Sequence, residues 1–173
     1  MHHVQFLSIL CMLYFSLGTV KTVSGQTQEP DPLSKFEQFI GGEWEMDGSV
    51  QVYEWGVGKQ SIRARSYSVN GSERNLVAEG TWYWHPATKQ IRGIFTAVNM
   101  PFTLLEYRSE FRDNSTLVST FTAYDSSGTT ATYRELMWTQ NDSTYLWELW
   151  QNSDGSEQKI MDGLLTRVWR ESK

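Results

Sequence analysis

The 173-residue sequence contains only one cysteine, Cys11. It lies in an apolar run, residues 4–20, which precedes Val23-Ser24-Gly25, small residues at the positions that a signal peptidase recognises. Because the run is shorter than the ~20 apolar residues needed to cross a membrane, we predict that residues 1–25 are a secretory signal peptide and not a membrane anchor. Its removal leaves no disulfides, so the secreted protein would depend on its hydrophobic core.

Histidine is nearly as scarce as cysteine. Outside the predicted signal peptide His85 is the only histidine, and one histidine without cysteine cannot form a common zinc site. The carboxylates lack the spacing of a calcium-binding loop, and the Gly-x-Ser-x-Gly motif of many serine hydrolases is missing. We therefore expect neither a bound metal nor another cofactor.

Positive charge is also limited. The formal net charge is −5, and loss of Lys21 with the signal peptide changes it to −6. A mildly acidic protein without a basic run is a poor candidate for binding nucleic acid or an anionic membrane.

Aromatic residues are abundant, with 8 Trp, 8 Tyr and 8 Phe, and these residue types suit half-buried strands. Residues 26–32 contain two prolines and form a predicted linker. The next segment has apolar residues at helical spacing, namely Leu33, Phe36, Phe39 and Ile40. Gly41-Gly42 ends this short helix, which is too short to be stable alone, so we expect it to dock on the open end of a barrel.

Turn signals recur every 8–12 residues from Trp44 onward, which is typical of an all-β protein. Strands are predicted at 43–47, 50–56, 60–69, 76–84, 90–97, 103–111, 116–124, 129–139, 144–151 and 158–169. The connections are too short for helical crossovers, so successive strands pair antiparallel, and closure of the sheet removes its two edges. Residues 33–173 are therefore predicted to form one antiparallel up-and-down β-barrel of about ten strands, with the short amino-terminal helix plugging one end.

Several motifs match a known family. Gly42-Glu43-Trp44 resembles the Gly-x-Trp of lipocalins and the wider calycins, in which an arginine near the chain end packs across the tryptophan; the resemblance implies that role for Arg167 or Arg170. Four further stretches are similar to lipocalin-like β-barrel families of unknown function: residues 53–58 (YEWGVG), 62–65 (IRAR), 78–80 (AEG) and 84–92 (WHPATKQIR). The resemblance covers most of residues 35–170 and implies the fold without a settled activity.

A more distant similarity is to the haem-binding nitrobindin-like barrels. Their axial histidine comes late in the chain, whereas His85 lies near its middle. The comparison therefore does not imply that haem is bound.

The interior of such a barrel is only partly filled by side chains, and an apolar cavity with a few polar groups is the expected site. Charged residues set the phase of two strands. With Glu106, Arg108 and Glu110 outward, Leu105, Tyr107 and Phe111 face inward; with Arg92 outward, Ile91, Gly93 and Phe95 face inward.

Aromatic residues crowd two other predicted strands, at residues 82–85 (WYWH) and 145–150 (YLWELW). They line a pocket or simply fill the core, and adjacent residues must point opposite ways. The candidate ligand-binding aromatics are Trp82, Phe95, Tyr107, Tyr133 and Trp147.

Arg63 and Arg65 share a strand face with Tyr67. Facing inward, they would bind a ligand carboxylate or phosphate. Facing outward, they would pair with Glu54 or Glu79 across the sheet, and this second arrangement is the commoner one.

Three residues are catalytic candidates. Glu135 and Glu148 lie on neighbouring predicted strands, and if both faced inward, repulsion and burial would raise at least one pKa and provide a general acid. His85 precedes Pro86 in a turn, where histidine is more often a capping or surface residue.

These patterns support three hypotheses. The first is a secreted protein, extracellular or periplasmic, that binds a small apolar or aromatic ligand as a monomer or weak dimer. The second is a barrel enzyme, an isomerase or cyclase, and the third is a module whose exposed aromatics contact glycans or proteins. Asn-x-Ser/Thr sequences at Asn70, Asn114 and Asn141 lie in predicted turns and are candidate glycosylation sites.

Overall fold

The computed structural model describes residues 31–98, 100–153 and 155–169. The predicted signal peptide, most of the predicted linker and Arg170 lie outside these ranges. The described part contains ten strands: β1 (Glu43–Met46), β2 (Ser49–Trp55), β3 (Ser61–Asn70), β4 (Glu73–His85), β5 (Gln90–Ala97), β6 (Leu104–Phe111), β7 (Thr116–Tyr124), β8 (Thr130–Asn141), β9 (Thr144–Ser153) and β10 (Ser156–Val168). Two short 3-10 helices, Ser34–Gln38 and Val57–Lys59, complete the regular structure.

The ten strands form one closed antiparallel barrel in which each strand pairs with its neighbours in sequence and β1 pairs with β10. This confirms the predicted up-and-down topology. The largest difference in bounds is at β4, which starts at Glu73 and not at residue 76. The reason is a tight turn: Asn70 pairs directly with Glu73, and Gly71 between them adopts a φ of +61° that glycine tolerates without a steric penalty.

The two strands whose phase was set by charged residues face as predicted. Ile91 and Phe95 of β5 and Leu105 and Tyr107 of β6 are all buried in the interior. Phe111, at the end of β6, is half-buried and packs against this core.

Two interior glycines make room for aromatic rings. A Cβ atom on Gly80 would lie 2.3 Å from Cγ of Phe95, and one on Gly93 would lie 2.8 Å from Cδ1 of Trp82. The rings of Trp82 and Phe95 therefore lie against these glycines, and they meet edge to face with centroids 4.6 Å apart.

The amino-terminal segment packs against the barrel interior. It forms a single 3-10 turn, Ser34–Gln38, and its buried apolar residues are Leu33, Phe36 and Phe39. The Phe36 ring lies 5.5 Å from that of Trp82 and 5.1 Å from that of Phe111, centroid to centroid. These contacts supply the stability that so short a helix lacks by itself.

Trp44 is fully buried beside this segment. Its indole Nε1 donates a hydrogen bond to the carbonyl oxygen of Phe39 at 2.8 Å. The guanidinium carbon of Arg167 lies 4.2 Å from the centroid of the Trp44 ring, and the same guanidinium donates to the carbonyl oxygen of Gln38. The predicted contact between Trp44 and Arg167 is therefore present.

The turns fall into two sets because successive strands run in opposite directions. The Ser34–Gln38 helix lies at the same end as the β6–β7 turn, since Lys35 Nζ and Gln38 Nε2 donate to the carbonyl oxygens of Asp113 and Asn114, each at 3.1 Å. We call this the helix end. The turns β1–β2, β3–β4, β5–β6, β7–β8 and β9–β10 form the opposite, far end. Within the described ranges, no helix is long and apolar enough to cross a membrane.

Candidate functional site

A cavity of about 410 Å³ lies inside the barrel. All ten strands contribute inward side chains to its wall, and the residues at its edge include Asp47 and Met100, in turns of the far end. The cavity therefore extends towards the far end, and its volume lies in the usual range for small-molecule sites.

Glu135 on β8 is the charged residue deepest in this wall. It lies opposite Ser119 of β7 and Leu149 of β9, and its Oε1 accepts a hydrogen bond from Nε1 of Trp147 at 2.7 Å. Burial raises the pKa of Glu135 to about 7, against the opposing effect of the Trp147 hydrogen bond. The side chain is not completely shielded, because it borders the cavity.

Three tyrosines surround the same space. The hydroxyl oxygens of Tyr53 and Tyr145 are 3.0 Å apart and share a hydrogen bond. Burial raises the pKa of both tyrosines, and that of Tyr107, and the negative charge of Glu135 raises them further. All three are therefore neutral near neutral pH and act as hydrogen-bonding groups on an aromatic wall.

The aromatic wall continues around the barrel by ring contacts. Tyr107 stacks on Phe121 with centroids 4.4 Å apart, and Phe121 stacks on Tyr133 at 5.1 Å. Of the predicted aromatic ligand contacts, Trp82, Phe95, Tyr107 and Trp147 line the cavity. Tyr133 shares their face but meets Phe102 of the β5–β6 connection at 6.1 Å, outside the cavity wall.

The hypothesis that Arg63 and Arg65 face inward is wrong. Their neighbours Ile62 and Ala64 are buried in the core, whereas Arg63 is exposed. Arg65 lies on the outer face and forms an ion pair with Glu54 at 2.5 Å. Because β3 turns its apolar side chains inward, both arginines lie on the outer face of the sheet and cannot orient a ligand in the interior.

The proposed pair of inward glutamates is also wrong. Glu148 is opposite Leu136, one residue out of phase with Glu135, so it lies on the outer face, where Lys159 approaches it at 3.3 Å. His85, at the end of β4, accepts a hydrogen bond at Nδ1 from the amide of Thr88 at 3.3 Å. His85 is the last residue of β4, at the helix end, and is not among the residues that line the cavity.

Other aromatic side chains lie on the outer face of the barrel. Trp150 lies between the cationic groups of Arg134 and Lys159, at 4.9 and 5.8 Å from its ring centroid, and needs no ligand. Among the described residues, Trp138 and Trp169 are the aromatics found with the exposed large hydrophobic side chains. Two exposed tryptophans give little support to the glycan- or protein-binding hypothesis.

Sequence reasoning missed Tyr53, Tyr145 and Gln51 as cavity residues. Gln51 lines the far half of the cavity, where its Oε1 accepts a hydrogen bond from Ser66 Oγ at 2.5 Å. Hydropathy could not have found it, since its neighbours Val50 and Val52 are the more apolar residues of β2.

No group of three or more histidine, cysteine, aspartate or glutamate residues in the described ranges could hold a metal ion. No protein-family model matches the chain, and no curated protein matches it.

Proposed function

We propose that this chain is a secreted, lipocalin-like protein that binds a small apolar or aromatic ligand inside its barrel. The cavity of about 410 Å³ supports this proposal, because its wall combines aromatic and aliphatic side chains with a few convergent polar groups. The buried contacts of Leu33, Phe36 and Phe39 favour closure of the helix end by the amino-terminal segment. A ligand would then enter at the far end.

Glu135 and the Tyr53–Tyr145 pair are the groups that would orient the ligand in this proposal. In this role they take the place of Arg63 and Arg65, which lie on the outer face of the barrel. Polar groups fixed on strands and surrounded by apolar walls discriminate strongly between ligands, since an unmatched group stays buried without a partner.

Binding in the cavity is tested by filling it. Ala78 lines the cavity on β4, whereas Thr96 is exposed on the outer face of the adjacent β5. We expect Ala78→Trp to weaken binding of the neutral fluorescent probe N-phenylnaphthylamine by about tenfold or more, because the new indole occupies the site. Thr96→Trp is the matched control and should bind as the wild type does. Equal probe affinity in both variants, or no binding to the wild type, would contradict the proposal.

Secretion and glycosylation form a second part of the proposal. Residues 1–25 have the pattern of a signal peptide, and Asn70, Asn114 and Asn141 are all exposed at turns. Expression of the full chain in a eukaryotic secretory host should release a product whose amino terminus begins near Gln26 and whose mass falls after glycosidase treatment. Retention of residues 1–25 would contradict the predicted signal peptide. An unchanged mass would contradict the predicted glycosylation.

A barrel enzyme is the alternative function that one observation favours. A carboxyl group with a pKa of about 7 exchanges its proton readily near neutral pH, as an isomerase or cyclase requires. If a substrate is found, turnover should be abolished in Glu135→Gln and retained in Glu148→Gln. Equal turnover in the two variants would exclude Glu135 as the proton-transfer group.

A further inference from the structure

The cavity has a negative electrostatic character. Its wall contains two carboxylates, Glu135 and the exposed Asp47 at the edge, and none of the described residues that line it is Arg, Lys or His. Arg134, the residue before Glu135, points outward and makes a two-nitrogen contact with Glu157 at 2.7 to 3.0 Å. Arg134 is therefore held on the outer face of the barrel, away from the cavity.

Glu135 has only neutral neighbours among the described side chains that face it. Trp147 and Leu149 face it from β9, Ser119 from β7, and Tyr53, Tyr107 and Tyr145 from the surrounding wall. Ser119 already shares a hydrogen bond with Ser109 at 2.7 Å. Apart from Trp147 Nε1, no described donor is hydrogen-bonded to the carboxylate, and no described cation forms an ion pair with it.

We propose that the ligand of this cavity is a small aromatic amine whose ammonium group pairs with Glu135 while its ring contacts the aromatic wall. The inference rests on the proposed function and names the chemical class of the ligand. It follows from the position of one carboxylate without a cation inside an aromatic cavity.

An ionised carboxylate in an apolar interior is unfavourable unless a cation compensates it. In the unliganded protein this cost is present whenever Glu135 is ionised, and a bound ammonium group removes it. An anionic ligand would instead add a second negative charge. The cavity wall also contains the rings of Tyr107 and Trp147, and aromatic rings attract cations through the ring quadrupole.

This pairing predicts how binding depends on pH. A primary alkylamine, like the lysine side chain, remains protonated below a pKa of about 10, so Glu135 is the group that titrates. The three facing tyrosines stay neutral because their pKa values are raised. Amine affinity should therefore be constant from about pH 7.5 to 9 and fall by about tenfold per pH unit well below the Glu135 pKa of about 7.

The experiment compares three probes of nearly the same shape: phenylethylamine, phenylethanol and phenylpropanoate. Each is titrated into the wild-type protein by calorimetry near pH 8 and near pH 5.5. We expect the amine to bind at least about tenfold more tightly than the alcohol near pH 8, and the anion to bind least. Glu135→Gln should remove the preference for the amine over the alcohol, whereas the outer-face control Glu148→Gln should leave that preference unchanged.

The outcomes separate this inference from the function on which it rests. If the alcohol or the anion binds as tightly as the amine, the amine assignment is wrong and the apolar-ligand function stands. If no probe binds and N-phenylnaphthylamine also fails to bind, the proposed function itself is wrong. The wild-type pH profile does not depend on any variant, and a flat profile for the amine would overturn the pairing with Glu135.

Discussion

Replacing Trp44 with alanine is expected to lower the free energy of unfolding by about 3–5 kcal/mol, the usual effect of removing a fully buried tryptophan side chain. The Trp44 ring meets Tyr145 edge to face at 4.8 Å and lies under Arg167 at 4.2 Å. The substitution leaves a large cavity, and it also removes the indole donor to the Phe39 carbonyl oxygen. Since small domains are stable by only about 5–15 kcal/mol, much of the stability would be lost.

Urea unfolding measures this effect, and two further variants identify its source. Trp44→Phe keeps an aromatic ring and removes the hydrogen bond, so it should cost less than the alanine variant does. Trp138 is 44% exposed on the outer face of β8, and Trp138→Ala should cost about 1 kcal/mol or less. A Trp44→Ala midpoint close to that of the wild type would contradict the role of Trp44 in the core.

Replacing Glu135 with glutamine is expected to stabilise the protein by about 2–3 kcal/mol near pH 8 and to have almost no effect near pH 4. The pKa of Glu135 is raised by burial from 4.5 to about 7 in the folded protein. At pH values between 4.5 and about 7, the folded state therefore binds more protons than the unfolded state. The free energy of unfolding therefore falls as the pH rises through this window and is constant, with respect to this group, above it.

Glutamine has the same shape as glutamate and still accepts the hydrogen bond from Trp147, but it carries no charge. The difference in stability between Glu135→Gln and the wild type therefore isolates the titration of one carboxyl group. Urea midpoints near pH 4, 6 and 8 measure it. For the control Glu148→Gln, on the outer face beside Lys159, the difference in stability from the wild type should not increase as the pH rises. A constant difference across this range would show that Glu135 has an ordinary pKa.

The ten strands could be predicted because alternation and turn residues are local signals. The interior faces of β5 and β6 were also predictable, since charged residues at every second position, such as Glu106 and Arg108, leave one choice of phase. The contact of Trp44 with Arg167 followed from the resemblance to lipocalins.

The candidate site was harder to predict, because its phase is set by partners far away in the sequence. Arg134 and Glu135 are adjacent and both charged, so one charged residue must point inward and the sequence does not say which. The pairing of Glu135 with Leu149, and of Leu136 with Glu148, places Glu135 on the inner face and Arg134 on the outer face. On β3, Arg63 and Arg65 alternate with Ile62 and Ala64, and burial of the apolar pair settled the choice that the sequence left open.

The pairing of β1 with β10 has a consequence for how the protein is made. Glu43 lies opposite Val168. β1 is synthesised before β10, so the barrel cannot close until β10 has been made. Until then both strands present open edges, which invite pairing with other chains. Contacts between such distant positions also form slowly. We therefore expect the barrel to close only after β10 has left the ribosome, and shortened chains that lack β10 to aggregate.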